Sequence, residues 1–282
     1  MCGVVSAGAM NIGLIVIGDE ILSGKRQDKH LTKVIELLAA RELSLSWARY
    51  AGDDRALLTP LLRDAFASGD MVLSCGGIGA TPDDHTRQCA AAALGRPLQL
   101  HPGARDLIVE RMRDVAAEQG QPFEPERADN LHRLNMGMFP KGAALIPNPY
   151  NKIPGFSVVH VHFVPGFPVM AWPMIEWVLD HHYLALQRVR ARAERSVIVF
   201  GSMEATLTPL MEDIEHRVAG VKVFSLPCVD DRHQFGRHIE LGVKGSSETV
   251  DEAFVLLRQG LDALNVKLGP ELVQKQNQGA PT

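Results

Sequence analysis

Between Ser74 and Arg87 the chain reads SCGGIGATPDDHTR, a glycine-rich turn with two hydroxyls and two adjacent carboxylates directly after the apolar run Met71–Leu73. Gly76, Gly77 and Gly79 allow close backbone approach and can aim N–H groups at an anion; Thr81 and Thr86 offer hydroxyls, and the following helix adds its positive dipole end. Such a combination makes a phosphate cradle, although a tight turn with capping residues would use the same residue types. The spacing is neither that of the dinucleotide GxGxxG nor that of the P-loop GxxxxGK(S/T). Pro82 suits the first position of the following helix, and Asp83 and Asp84 suit its positive end. Capping accounts for one carboxylate more easily than for two, because a pair beside a phosphate repels it unless a divalent cation intervenes. Mg²⁺ is typically held by one or two carboxylates plus phosphate oxygens. Two more loops repeat the pattern: GDEILSG at 18–24 brings Asp19 and Glu20 after Gly18, and GDD at 52–54 brings Asp53. Each alone reads as a cap; three on one edge point to metal-assisted phosphate chemistry.

Such an edge needs a parallel sheet. NIGLIVIGDE is an aliphatic run stopped by Gly18, the pattern of a central strand buried on both faces. A helix follows, with Asp28 placed to cap it and Leu31, Val34, Ile35 and Leu38 forming one stripe. Leu43–Tyr50 reads as a second strand, DDRALLTPLLRDAFAS as a helix that Pro60 should kink or delay, and MVLSC as a third strand. This alternation implies right-handed crossovers in a sheet whose ligands bind at the carboxyl ends of its strands, where the three loops converge. A helical insertion from about Pro102 to Gly120, strands in AALIPNP and VVHVHFVPGFP, and a closing helix Met170–Leu186 complete this part. A domain boundary is expected within 187–195. Beyond it SVIVFG reads as a strand, Thr208 and Pro209 as a helix start, 221–226 and 236–244 as strands, and Ser246 onward as a helix carrying Val250, Phe254, Leu257 and Leu261. The expected domains are thus 12–190 and a small α/β unit at 196–265, with 266–282 a disordered tail.

The composition, 46% hydrophobic and 22% charged, supports a full core without metals or disulfides. A net charge of −4 and a pI near 6.3 argue against a broad nucleic-acid surface. Cys2, Cys75, Cys89 and Cys228 show no CxxC spacing and read as reduced thiols, implying a cytoplasmic protein; Cys75, beside the glycine loop, reads as a small apolar residue rather than a reactive one. No run reaches the roughly 18 apolar residues of a membrane span, the N-terminus lacks a basic signal-peptide region, and Met10 is an alternative start. His160 and His162, alternating on one strand, would share a face, but with no third ligand they read as packed or solvated. His181 and His182 suit a helix C-terminus, and Trp172 and Trp177 read as core.

Taken in order, IGDEILSG, AGDD, SCGGIGATPDDHTR, PNPYNKIPGF and VPGFP resemble the molybdopterin-binding fold of MoaB/Mog-type proteins, nearest to the N-terminal domain of the CinA (competence/damage-inducible) family. The resemblance covers about residues 12–187, and 196–265 more weakly matches the small domain that follows in CinA-type chains; the nicotinamide-mononucleotide deamidase domain is expected to be absent. It implies an α/β, three-layer fold with a mostly parallel sheet and helices on both faces, plus a small α/β C-terminal domain. It also implies a phosphate-bearing pterin or nucleotide as ligand, molybdopterin being one candidate. The ligand would lie against Gly18 and Glu20, against Gly76, Gly77, Gly79, Thr81 and Thr86, and against Lys152, Gly155, Pro165 and Gly166. A divalent metal, Mg²⁺ or Co²⁺, would sit at Asp53 and Asp84, and Asp19, Asp83 and Asp84 would be catalytic. CinA-type domains are similar to ADP-ribose pyrophosphatases, whereas Mog-type relatives adenylylate molybdopterin. The expected reaction is therefore metal-dependent hydrolysis of a nucleotide pyrophosphate such as ADP-ribose, with non-catalytic molybdopterin binding or adenylyl transfer as alternatives. A homo-oligomer with no nucleic-acid or membrane partner is expected. Two departures stand out. Asn151, Lys152 and Ile153 replace the family's Gly-Thr-Ala, with Lys152 offering a cation in its stead, and Val169 replaces an acid.

Overall fold

A computed structural model describes residues 10–184 and 192–274, and the chain separates into two compact units: residues up to Leu184 without Ala40–Leu43, and the remainder with that segment. The first unit begins with β1 (Ile12–Ile17), followed by the single-turn α1 (Asp19–Leu22), α2 (His30–Ala39), β2 (Trp47–Ala51), α3 (Arg55–Ser68), β3 (Met71–Cys75) and α4 (Thr86–Leu94). After β4 (Leu98–Leu100) come α5 (Pro102–Glu118), α6 (Ala128–Arg133), β5 (Met138–Pro140), β6 (Ala144–Ile146), β7 (Gly155–Val158), β8 (Val161–Val164) and α7 (Pro168–His182). Six strands form a mixed sheet in the order β2-β1-β3-β8-β7-β6, in which β7 alone runs opposite to the others and so pairs antiparallel with both β8 and β6.

All six β1 residues are buried, as an aliphatic run covered on both faces requires. Ile15 and Ile17 pack with Leu58 and Leu62 of α3, Ala90 of α4 and the stacked rings Phe139, Phe156 and Phe163. Leu14 and Val16 alternate to the opposite face, where α2 packs against α7. Asp28 caps α2 as expected, its two carboxylate oxygens accepting from the His30 and Leu31 amides. Ile35, however, is exposed and Leu37 is buried in its place. Pro60 does not delay α3, which starts at the Asp54 cap and runs through the proline to the left-handed Gly69. A proline one turn in forfeits a single ladder bond while the cap and the buried Leu58, Leu62 and Ala65 hold the helix.

Several boundaries depart from the sequence reading. VVHVHFV is not one strand: Val159, with φ of 57°, turns the chain into the β7–β8 hairpin. His160 and His162 consequently do not share a face. His160 donates through Nε2 to the Ala65 carbonyl of α3, whereas His162 bonds Ser157 and Tyr183. Trp172 and Trp177 are half-buried rather than core, Trp177 stacking on His181.

The second unit comprises β9 (Arg192–Phe200), α8 (Glu204–Arg217), β10 (Lys222–Cys228), β11 (His238–Ser246), α9 (Ser247–Ala263) and β12 (Lys267–Gln274). Its sheet is antiparallel in the order β10-β11-β9-β12, and Val197, Leu241, Phe254 and Leu257 are among its buried core. The expected disordered tail at 266–282 is therefore corrected, because 267–274 is an edge strand bonded to β9; residues 275–282 lie outside those described. The Gly269–Pro270 pair hid it: an edge strand needs only one partner, and Pro270 falls at the register shift between Leu268 and Glu271, where no ladder donor is needed. Thr208 and Pro209 do not start α8 either. The helix begins at Glu204, and the Thr208 hydroxyl donates back to the Glu204 carbonyl. Arg192–Arg195, within the expected boundary stretch, already belong to β9, and 185–191 lie outside the described residues.

Candidate functional site

The three acidic loops meet at the carboxyl ends of β1, β2 and β3. The Gly18 amide donates to the Ala51 carbonyl, the Asp19 amide to Asp53 Oδ2 at 3.0 Å, and the Asp53 amide to Asp19 Oδ1 at 3.3 Å. This reciprocal tie fixes one loop to the next. Gly76 donates to the Val164 carbonyl, bringing the Pro165–Gly166 turn alongside. Its φ is 110°, and a Cβ there would overlap the Ile17 carbonyl oxygen, so only glycine fits.

Between these loops lies a cleft of about 400 Å³, within the usual size of small-ligand sites. Its floor is Gly18 and Gly76–Thr81; Glu20, Asp53, Asp83 and Asp84 supply carboxylates, and Asn148, Asn151, Ile153 and Pro154 face Pro165–Phe167 and Met170. The lining thus combines backbone amides and acids with amide-bearing and apolar side chains suited to a flat ring. Burial raises the Asp53 pKa above the usual carboxylate range, and the neighbouring charges of Asp19, Glu20 and Asp83 push the same way, although the Asp19 amide bond opposes them. A cation would relieve that repulsion, so the donor set fits a hard, oxygen-preferring divalent metal.

The central loop is braced from within. Asp84 Oδ1 accepts from the Gly79 amide at 2.8 Å, and its Oδ2 from the Thr81 amide at 2.8 Å and the Thr81 hydroxyl at 2.5 Å. Oδ2 is saturated by its two donors, whereas Oδ1 keeps a second lone pair, so this bracing is compatible with ligating a metal through Oδ1. These bonds close a turn that occupies Pro82–Asp84, and α4 starts only at Thr86. The expectation of a helix from Pro82, with Asp83 and Asp84 at its positive end, is corrected accordingly.

Other expected ligand contacts are redirected. Thr86 is buried and its hydroxyl donates to the Gly76 carbonyl, bracing the loop instead of facing the cleft. Gly155 lies buried in β7, where a Cβ would overlap the Phe163 carbonyl, and it does not line the cleft. Lys152 turns away with φ of 66°, its ammonium 2.7 Å from Glu110 and 2.6 Å from Asp114 of α5, so it brings no cation to the cleft. Asp19 is exposed, does not line the cleft itself, and is tied to Asp53, which does. Cys75 is fully buried and its thiol pKa is pushed up by burial, consistent with a packing role. Val169 is 54% exposed on the first turn of α7.

Three residues escaped the sequence reading. Arg87, only 3% exposed, donates to the Ile78 and Gly79 carbonyls at 2.5 and 2.7 Å and clamps the glycine loop from below; burial lowers its pKa to about 10. Its signal was local, a cation two residues into the helix after the glycine loop. Arg26 lines the cleft with its guanidinium 5.9 Å from the Phe167 ring centroid. His30 Nε2 donates to the Gly166 carbonyl at 2.9 Å, and nothing in the local sequence announces that contact.

The fold defines a three-layer α/β protein whose cleft lies where acidic and glycine-rich loops leave a mostly parallel sheet. A family model described as a probable molybdopterin-binding domain matches residues 13–186, and the chain belongs to that family. Among curated relatives, a CinA-like protein of Anaeromyxobacter dehalogenans (strain 2CP-1 / ATCC BAA-258) is 30% identical over 211 residues, 72% of this chain and 49% of that protein. One from Geobacter sulfurreducens is 27% identical over 275 residues, 94% of this chain and 61% of that protein. The chain thus spans roughly half the length of the curated relatives it matches. A crystal structure described as the protein CinA with unknown function from Thermoplasma acidophilum shares the fold with a TM-score of 0.51 at 24% identity, covering 60% of this chain and 97% of that one. No helix among the described residues is long and apolar enough to cross a membrane.

Proposed function

We propose that the cleft binds a phosphate-bearing pterin or nucleotide and that, with a divalent metal, it hydrolyses a nucleotide pyrophosphate such as ADP-ribose. The observation that carries this reading is the meeting of the Gly76–Gly79 backbone with Asp53, Glu20, Asp83 and Asp84 in one cleft that Ile153, Pro154, Phe167 and Met170 also line. The glycine backbone receives a phosphate, the apolar wall receives the ring, and Arg26 offers a cation to a second phosphate. Asp53 and Asp84 would hold the metal. When bound, it supplies Lewis-acid polarisation of a phosphoryl oxygen. Asp83, exposed at the rim, orients the attacking water, and Asp19 fixes Asp53 through the paired loop bonds.

The test is AMP release from ADP-ribose with Mg²⁺ or Co²⁺, beside Asp53→Asn and Asp84→Asn controls. Metal-dependent release lost in Asp53→Asn supports the hydrolase, and no release with either metal refutes it. A second reading, pterin binding without turnover, is favoured by the exposed valine at 169 and by Lys152 facing α5. It predicts a fluorescent pterin held by the wild type and by Lys152→Met alike.

A further inference from the structure

The hairpin of β10 and β11 in the second unit brings together a thiol and two imidazoles far in sequence from the acidic loops. Cys228 ends β10 and His238 begins β11, and the two are direct register partners, so their side chains leave the same face. His233 stands in the connecting loop, and one ligand-type atom from each of the three lies within 4.8 Å of the others. His238 is 8% exposed, and its Nδ1 is 2.7 Å from the Gly236 carbonyl. A carbonyl only accepts, so Nδ1 carries the proton and the Nε2 lone pair is left for another partner. That is how metal-ligating histidines are commonly oriented by their outer neighbours.

We infer that Cys228, His233 and His238 form a transition-metal site, with Zn²⁺ the ion that one thiolate and two imidazoles select. Oxygen-seeking Mg²⁺ and Ca²⁺ are poorly served by this set, which separates the site chemically from the carboxylate cleft. Tetrahedral Zn²⁺, with Zn–S of about 2.3 Å and Zn–N of 2.0–2.1 Å, places its ligand atoms about 3.3–3.6 Å apart. The cluster therefore has to close by at most about 1.5 Å. His233 is the ligand free to do this: it is exposed, and its ring gives up a long 3.3 Å bond from the Phe235 amide to Nδ1. The Cys228 thiol, now weakly bonded to the Asp230 carbonyl, loses its proton to solvent as the metal–sulfur bond forms. Three protein ligands leave a fourth position for water, and the ion pins the loop 229–237. Without a metal, the same residues are a packed group of rings, with His233 and His238 centroids 4.7 Å apart beside Phe235.

Co²⁺ titrated into the reduced, full-length chain tests the site, because Co²⁺–thiolate coordination gives a charge-transfer absorption that carboxylates cannot. One equivalent of that band, displaced by Zn²⁺, abolished in Cys228→Ser, weakened in His233→Gln and unchanged in Asp53→Asn, is the expected result. His233→Gln changes an exposed ring and serves if Cys228→Ser fails to fold. Absence of the band in the wild type, or its persistence in Cys228→Ser, overturns the assignment. Because Asp53→Asn disables only the carboxylate cleft, failure of this site and failure of the hydrolase reading are separable.

Discussion

At neutral pH His162 is an uncharged imidazole locked inside the first unit. It is 3% exposed, with Nδ1 2.8 Å from the Ser157 hydroxyl and Nε2 2.7 Å from the Tyr183 hydroxyl. Burial first, and then the nearby His182 and His160, lower its pKa from 6.5 to about 3. In the unfolded chain it titrates near its ordinary value. Below pH 6.5 the unfolded state therefore binds a proton that the native state refuses, and stability falls as pH drops toward 3. One pKa unit is worth about 1.4 kcal/mol, so about 1.5 units of protonation at pH 5 cost about 2 kcal/mol relative to pH 7.5. Urea unfolding at both pH values, on wild type and His162→Leu, isolates the effect, because the other histidines titrate alike in both proteins. The wild type should lose about 2 kcal/mol more than the variant over that interval. Equal losses in the two would mean that His162 is protonated in the folded protein and that the burial argument is wrong.

Gly77 has φ of 67°, and a Cβ there would overlap the Thr86 hydroxyl, so Gly77→Ala should lower stability by at least about 1–2 kcal/mol in urea unfolding and weaken ligand binding. Asp53 has a raised carboxyl pKa, so its charge opposes folding above the ordinary carboxylate range and that penalty eases as pH falls. Asp53→Asn should therefore raise Tm in metal-free buffer at pH 7 while removing the Tm increase caused by Mg²⁺. Lys152→Met breaks only exposed pairs to Glu110 and Asp114, so calorimetric nucleotide affinity and Tm should both stay close to wild type; a large loss of affinity would return Lys152 to the cleft.

What the sequence determined by itself was whatever local pattern dictates. β1 is legible because an aliphatic run ending in glycine has few alternatives, and Asp28 because a carboxylate two residues before His30 meets its amide regardless of the rest. The convergence of the loops at 18, 52 and 76 follows from strand–helix alternation, because successive parallel strands end at one edge. Tertiary structure decided the rest, where a side chain had several partners within reach. Asp84 turned back on Gly79 and Thr81 and delayed α4; Lys152 found two acids on α5, 38 and 42 residues away in sequence. Val159 split one apparent strand and sent His160 and His162 to different partners, and β12 formed from a stretch interrupted by Gly269 and Pro270 because β9 offered it a free edge. Backbone conformation is chosen largely among near neighbours, whereas a charged or imidazole side chain takes whichever partner the folded chain brings within about 3 Å, and no local window of sequence contains that partner.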